Sequence, residues 1–430
     1  MAEGDMYYEK YNIVVVGGGF SGCAAAISVA RRGAKVLLIE KSNALGGAAN
    51  TCLVNPFMRY RTKINGKTVD LSKGIFKEIT DELERMGGFY QKKTALETNV
   101  FNEEYLKLIL NRMVIKAGAD ILLRSYLTDV QSEEEYIRSV RIANKTGYMD
   151  IEADCFIDCT GDADLAYLAG CPFHLGREDD HLCQPMTLCF RLGNVNIEKY
   201  VEEKPKINPL YQEFRKSGKI KNIRENVLIF RNVSKNVLHF NSTRIVKLNP
   251  TDAIDITKAE IEAREQVFEL FDFLRQNFEA FKESEILFTA PEIGVRESRM
   301  IDGKYILTQE DLISCVHFED SVALGNYDID IHNPEGSGTS YYFFKDGEYY
   351  SIPYRCLIPQ KVNNLLVAGR CISATHEAQA AIRIMPIVCC LGEAAGNAAA
   401  IAVSDRVSPG NVDIKKLHKA LADNHARYSL

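Results

Sequence analysis

The sequence predicts an α/β chain: a doubly wound, Rossmann-like dinucleotide-binding domain into which a smaller α+β domain is inserted. Three observations predict it. Two short, wholly apolar runs, Ile13 to Val16 and Val36 to Ile39, suit buried parallel strands and flank a Gly-rich turn and an Ala-rich stretch. The first two hundred residues alternate strand and helix signals, as a sheet covered by helices requires. A third buried-strand run, Asn364 to Ala368, comes only near the C-terminus, so the first domain is discontinuous, 1–175 with 351–430, and 176–350 is the insertion. A chain of 430 residues, about three times a typical domain, has room for both.

Taken in order, the strand at 13–16 leads into a helix over 22–32 and a second strand at 36–39. Ser72 is placed to cap a helix that runs to Gly87. Asn102 is placed to cap another, whose Leu106, Ile109, Leu110 and Met113 share one face before Gly118 stops it. Ile121 to Leu123 returns to the sheet. Tyr136 to Ala143 and Tyr148 to Ala153, joined at residues 144–147, read as a hairpin, and Cys155 to Asp158 as the next strand, so a three-stranded crossover replaces a helix. From Gly176 alternating runs appear, Met186 to Leu192 and Val237 to Ile245, with one long helix among them. Thr257 and Glu260 form a capping box for it, and Ile261, Val267, Phe268, Phe271 and Leu274 keep helical spacing as far as Phe281. A final helix spans 386–403.

Composition excludes some functions. The 52 Lys and Arg against 58 Asp and Glu leave a net charge of −6, which gives no general attraction for polyphosphate, so nucleic acid is not expected as a partner. Twelve cysteines are too sparse for a disulfide scaffold and read as reduced thiols. Asn12 to Ala30 carries no charge and is long enough to cross a bilayer, but its glycines and Arg31-Arg32 make it strand, turn and helix. Glu3, Asp5 and Glu9 precede it where a leader would be basic. The expected compartment is the cytoplasm.

Gly17-x-Gly19-x-x-Gly22 lies between that strand and helix, the context that gives the pattern a mechanism. Gly17 allows a tight turn, Gly19 lets the backbone approach a pyrophosphate, and Gly22 lets helix and strand pack closely. Phosphates would then meet free N–H groups at the positive end of a helix, Phe20 and Ser21 included. Glu40 ends the second strand where a carboxylate accepts ribose hydroxyls and disfavours a 2′-phosphate. A Gly-rich turn without a ligand is the alternative.

The residues after Glu40 narrow the choice. Lys41-Ser42-Asn43-Ala44-Leu45-Gly46-Gly47-Ala48-Ala49-Asn50-Thr51 resembles the second fingerprint of FAD proteins with the glutathione-reductase type of fold. With Asp158 to Asp164, Gly294 to Arg299, and Asn364 to Ala381, the chain resembles the FAD-dependent oxidoreductase family over nearly its whole length. The resemblance implies one non-covalently bound FAD. Gly17, Gly19, Gly22, Glu40 and Lys41 would hold its ADP half, Leu127 would meet adenine, Thr160, Gly161 and Asp162 would line the pyrophosphate side, and Gly46, Gly47, Ala48, Asn50 and Thr51 would run beside the ring. Relatives often end the late strand in Gly-Asp, with Asp on the ribityl chain; here Gly369 is followed by Arg370. Independently of the family, Pro386 suits a first helical turn. The N-terminus of that helix around Met385, with Arg383, would stabilise negative charge on a reduced ring. The alternative is a helix merely packed on the sheet.

Flavin carries its own redox chemistry, so the protein supplies orientation, a proton and charge. Asp328, Asp330 and His332 alternate on one strand face; His332 is the first acid/base candidate, against a surface histidine on an edge strand. Arg355, near the domain junction, would orient an anionic or carbonyl group, and His376 is the second acid/base candidate. Arg296 and Arg299 beside Glu297 read as a structural ion-pair network. Cys52 has no partner five residues on, which disfavours thiol–disulfide exchange, and Cys389-Cys390 reads as core. Cys171, His174, His181, Cys183 and Cys189 crowd together but match no structural zinc pattern, so no metal is expected. Gly336-Ser337-Gly338 lacks the setting of a nicotinamide-binding turn. The leading expectation is an enzyme moving a hydride between a small organic substrate and FAD. A flavoprotein electron-transfer subunit docking on a partner protein, as in heterodisulfide-reductase-like assemblies, is the alternative, and a flavin-bound structural or sensing module a third reading.

Overall fold

The computed structural model describes residues 10–91 and 99–430; Glu3, Asp5 and Glu9 lie outside them. The uncharged stretch is strand, turn and helix: β1 (Tyr11–Val16) and α1 (Phe20–Arg31), followed by β2 (Val36–Ile39). β1 pairs in parallel with β2, and β2 with β3 (Asp120–Leu122). On its other side β1 pairs in parallel with the end of a long strand, β6 (Gly147–Asp158), beside which lies β13 (Leu365–Val367). The runs Ile13 to Val16, Val36 to Ile39 and Leu365 to Val367 are apolar because both faces of a parallel sheet are covered. β4 (Tyr126–Glu133), β5 (Tyr136–Asn144) and the first half of β6 form the three-stranded antiparallel crossover, with the turn at 144–147. β6 runs unbroken through what read as two strands, one half in each pairing.

Two elements start elsewhere than their sequence suggests. α2 (Ile75–Arg85) begins after Gly74, with Ser72 buried outside it. Its cap comes from another helix: the Ile75 N–H donates to Glu393 Oε2 at 3.0 Å, and a Cβ on Gly74 would sit 2.2 Å from that carboxylate. α3 (Glu103–Ala117), in contrast, is capped by Asn102 as read.

The four-stranded antiparallel sheet has the order β8 (Ile229–Arg231), β9 (Leu238–Phe240), β7 (Phe190–Gly193), β10 (Glu285–Thr289); of the alternating runs only the end of Met186 to Leu192 and the start of Val237 to Ile245 pair in it, with Met186 and Ile245 joined by an isolated bridge. Beside it lies α4 (Ile197–Lys216), which contains Pro205 and Pro209, residues that argue against a helix interior and hid it. α5 (Ala253–Asn277) starts one turn before the capping box: Asp252 accepts from the N–H groups of Ile254 and Asp255, while Thr257 donates back to the Ala253 carbonyl inside the helix. Val267, Phe271 and Leu274 are buried, but Ile261 and Phe268 are exposed, because Ala259, Ala263 and Leu270 form the inner face instead. β11 (Ile329–His332) and β12 (Thr339–Tyr342) form a hairpin whose turn holds Gly336 to Gly338; strand follows that turn, not helix.

α6 (His376–Ile382) leads into α7 (Met385–Asp405), with Pro386 in the first turn. By length and composition α7 could cross a membrane, but it is almost wholly buried within the chain. Its small residues explain this. A Cβ on Gly392 would lie 2.0 Å from the Ser21 carbonyl oxygen and one on Gly396 2.3 Å from that of Ala25, so α7 crosses α1 backbone against backbone.

Candidate active site

A cleft opens at the C-terminal ends of the parallel strands, where ligands bind in sheets of this kind. Gly17 has φ +101° and its missing Cβ would stand 2.3 Å from the Cys159 carbonyl oxygen; a Cβ on Gly22 would stand 1.8 Å from that of Gly17. These two glycines close the turn under the cleft. Gly19 faces into it: a Cβ there meets only the Gly47 Cα, at 3.9 Å. Gly19 brings no side-chain cap to α1, so the N–H groups of Phe20, Ser21 and Gly22 have no helical acceptor, and Phe20 and Ser21 line the cleft. α7 likewise starts at Ile384 without a side-chain cap, with Met385 at the cleft wall.

Of the residues singled out for a dinucleotide, Gly17, Gly19, Phe20, Ser21, Glu40, Lys41, Gly46, Gly47, Ala48, Thr51, Leu127, Thr160, Gly161, Asp162, Gly369, Arg370, Arg383 and Met385 all line this cleft. Gly22 lies beneath it. Asn50 turns away, its amide donating to the Leu45 carbonyl at 2.5 Å. Glu40 accepts the Gly18 N–H at 2.5 Å and the Ser42 N–H at 2.7 Å, which fixes its carboxylate at the strand end with lone pairs to spare. Cys52, Ser125, Glu292, Ile293 and Val295 also line the cleft; apart from Cys52 nothing in their spacing marks them.

Arg370 stands where relatives carry Asp, and the acid is supplied from across the cleft. Its guanidinium meets Asp162 at 2.6 Å, and Asp162 also accepts from Ser298 at 2.6 Å. Burial pushes the Asp162 carboxyl up, but Arg370 and the Ser298 hydrogen bond outweigh it and hold it below the usual range. The Nε atoms of Arg370 and Arg383 are buried without a partner.

Comparison with known proteins gives the chain its family. A family described as FAD dependent oxidoreductase matches residues 12–421. The chain belongs to that family. Its cofactor is therefore FAD, and the residues present fit it: glycines leave backbone bare at the cleft floor, two helix N-termini open onto it, and two arginine Nε–H groups lack acceptors. This member of the FAD-dependent oxidoreductases is 39% identical to a vinyl phenol reductase of Lactiplantibacillus plantarum over 70 residues, 15% of this chain and 14% of that one. It is 24% identical to a digeranylgeranylglycerophospholipid reductase of Methanosarcina acetivorans over 163 residues, 35% of this chain and 38% of that one. The chain thus spans well under half of either relative. Among solved structures, BexE, studied for oxidation during BE-7585A biosynthesis, superposes with a TM-score of 0.50 at 11% identity over 97% of this chain and 66% of that one, a likeness of fold alone. A geranylgeranyl bacteriochlorophyll reductase-like protein of Thermoplasma acidophilum gives 0.49 at 14% identity over 97% and 84%.

In this flavoenzyme the three residues singled out for chemistry fall in three places. His332 is buried; its Nδ1 receives a hydrogen bond from Arg244 at 3.1 Å and its Nε2 lies 3.5 Å from Asp330, whose same oxygen accepts from the Tyr327 hydroxyl at 3.0 Å. Burial, then Arg296, push its pKa down to about 3, so the imidazole is neutral. His376 is buried against Glu297 at 2.7 Å, beneath a separate depression beside Arg177. Arg355 lies away from the cleft: it is half exposed, paired with Asp320 at 2.9 Å, and 4.9 Å over the Tyr305 ring. The expected ion-pair network is likewise split. Glu297 binds His376 and the Gln184 N–H, Arg299 binds Asp164, and Arg296 bonds only neutral oxygens of Pro185, Thr187 and Asn241.

Cys52 is buried and its thiol is pushed up to about 11 by that burial, far from the thiolate that exchange needs. Cys389 and Cys390 are core. Among the described residues no three His, Cys, Asp or Glu side chains group as a metal site. His174 is instead held by Asp302 and the Ala374 carbonyl, both at 2.9 Å.

Proposed function

We propose that this protein transfers a hydride between a small organic substrate and FAD held non-covalently in the cleft. The reading rests on one observation above the rest: two helix N-termini without side-chain caps and the arginines Arg370 and Arg383 meet at one cleft, with strand ends on one side and Ile293 and Val295 on the other. The flavin, when bound, accepts or returns the hydride. The chain's part is to orient the substrate, exclude water and hold a proton. We place that proton on the chain Tyr327–Asp330–His332, with the imidazole neutral and Arg244 fixing its Nδ1 as acceptor. Arg383, at the wall of the cleft, takes the orienting role first expected of Arg355.

The parallel strand order and three-stranded crossover support a glutathione-reductase type of cofactor domain, with residues 1–175 and 351–430 forming it and 176–350 the substrate-side domain. Twelve cysteines, all free, support a reducing compartment such as the cytoplasm. The test is anaerobic: FAD-loaded protein is exposed to small organic substrates and, separately, to reduced carrier proteins, while flavin absorbance is followed. Bleaching by a small molecule supports the enzyme. Bleaching by a carrier protein alone would mean an electron-transfer subunit.

A further inference from the structure

Four arginines from four separate segments gather beside the cleft. Arg383 belongs to its wall. Gln184 Oε1 accepts from Arg383 at 3.5 Å and from the His332 N–H at 3.4 Å, and His332 Nδ1 accepts from Arg244 at 3.1 Å. Arg296 follows Val295 of the cleft wall, and Arg224 precedes Glu225, which lies 3.5 Å from Arg244. Arg224 and Arg244 are almost wholly buried. Burial, then Arg224, push Arg244 down to about 10; burial, then Arg224, Arg383 and Arg244, push Arg296 down to about 9. The carboxylates that oppose them are Glu225, 3.5 Å from Arg244, and Asp330. Among the described residues only Arg244 of the four has a carboxylate within 4 Å, Glu225, so even with Asp330 counted against the group two of its four positive charges are left over.

Their hydrogen bonds do not explain the gathering. Arg244 holds the hairpin turn through the Gly336 and Gly338 carbonyls, both at 2.9 Å, and Arg383 reaches only Gln184, at 3.5 Å. The Nε and Nη1 atoms of Arg224, the Nε of Arg244 and the Nε of Arg383 are buried with no partner. Buried like charges with unfilled donors are costly to keep unless something anionic joins them. Guanidinium forks match the two oxygens of a carboxylate, and an excess of two charges matches two such groups.

We infer that the substrate is a small dicarboxylic acid, held by Arg224, Arg244, Arg296 and Arg383 at the edge of the cofactor cleft. This rests on the flavoenzyme reading above and names its substrate class. A bound dianion also offsets the charges of Arg296 and Arg383, which act after burial to push the His332 imidazole down.

The experiment reads the thermal midpoint of the FAD-loaded protein with succinate, fumarate, dimethyl succinate or inorganic phosphate. The acids raise the midpoint; the neutral ester does not, and phosphate does so more weakly. Arg224→Gln raises the midpoint of the ligand-free protein by relieving repulsion, keeps its FAD, and weakens the acid response about tenfold or more; Arg224→Lys keeps most of it. An ester as effective as the acid, phosphate as effective as the acids, no response to either acid, or an unchanged response in Arg224→Gln overturns the inference. The ester and acid comparison needs only the wild-type chain, should Arg224→Gln fail to fold. Protein that holds no FAD would sink the flavoenzyme reading instead, while the acid-dependent midpoint still reports on the arginines.

Discussion

The cofactor cleft and the arginine group beside it solve opposite problems. The cleft is made of backbone: Gly17 and Gly22 permit contacts that no Cβ could survive, and Gly19 leaves its floor bare. Its charges are balanced locally, Arg370 against Asp162. The arginine group is made of long side chains, and its charges are unbalanced within the chain, Arg296 bonding only neutral oxygens. A site that always holds the same cofactor can be rigid and self-neutral. A site whose ligand comes and goes must leave the ligand's charge to be supplied from outside.

The largest effect should separate the two regions. Gly19→Phe places a ring where only the Gly47 Cα lies within 4 Å, at a φ of −69° that any residue adopts. The fold is retained and FAD affinity falls about 1,000-fold or more, read by titration of the apoprotein. Gly17→Ala, at φ +101° against the Cys159 carbonyl, lowers the unfolding midpoint of the apoprotein itself. Both variants holding FAD like the wild type would break the idea of a backbone-built cleft.

Next in size is His332→Gln. Reduction of the flavin by substrate slows about 100-fold with FAD still bound. With the imidazole pushed down to about 3, the ligand-free protein has no histidine titration near the ordinary 6.5 from this residue. A titration there that vanishes in His332→Gln would show the imidazole to be solvated, not coupled to the arginines.

The same contrast explains what was legible in the sequence. Residues 17–22 and 40 are legible from glycine spacing and a strand-end acid, whereas 46–51 and 160–162 are legible only through the resemblance to a family. Arg224 and Arg244 mean nothing until the fold assembles them, because a lone arginine has no local signature; Arg383 reads toward the flavin and Arg296 toward an ion-pair network, neither as a member of one group. Arg355 illustrates the reverse error: its position near a junction suggested the pocket, but the short helical turn Tyr354–Leu357 aims it at Asp320 instead. α4 was hidden by Pro205 and Pro209, and the start of α2 by a cap supplied from Glu393, far along the chain.

Asp162→Asn sharpens the claim that the cleft is locally neutral. It leaves Arg370 without its carboxylate; with about a fifth of each side chain still accessible, the cost is about 2 kcal/mol, less than a fully buried pair would lose. Urea unfolding at neutral pH measures it. A loss below about 0.5 kcal/mol would mean that solvent, not Asp162, balances Arg370.

The last effect concerns a buried carboxyl on the cofactor side. Glu393 is fully buried in α7, accepts the Ile75 N–H with one oxygen, and has no partner for the other. Burial pushes its carboxyl up from 4.5 to about 8. Between those values the folded chain holds a proton that the unfolded chain releases, so stability is greatest below pH 4.5 as far as this group is concerned and is lost as pH rises to 8. Glu393→Gln keeps an oxygen for Ile75 and removes the titration. The variant should therefore lie within about 1 kcal/mol of the wild type near pH 5 and exceed it by on the order of 3 kcal/mol at pH 8, read from unfolding curves at both. Parallel pH dependence in the two proteins would mean that water reaches the carboxylate, and that the interior behind the cleft is not the dry, self-neutral counterpart of the arginine group.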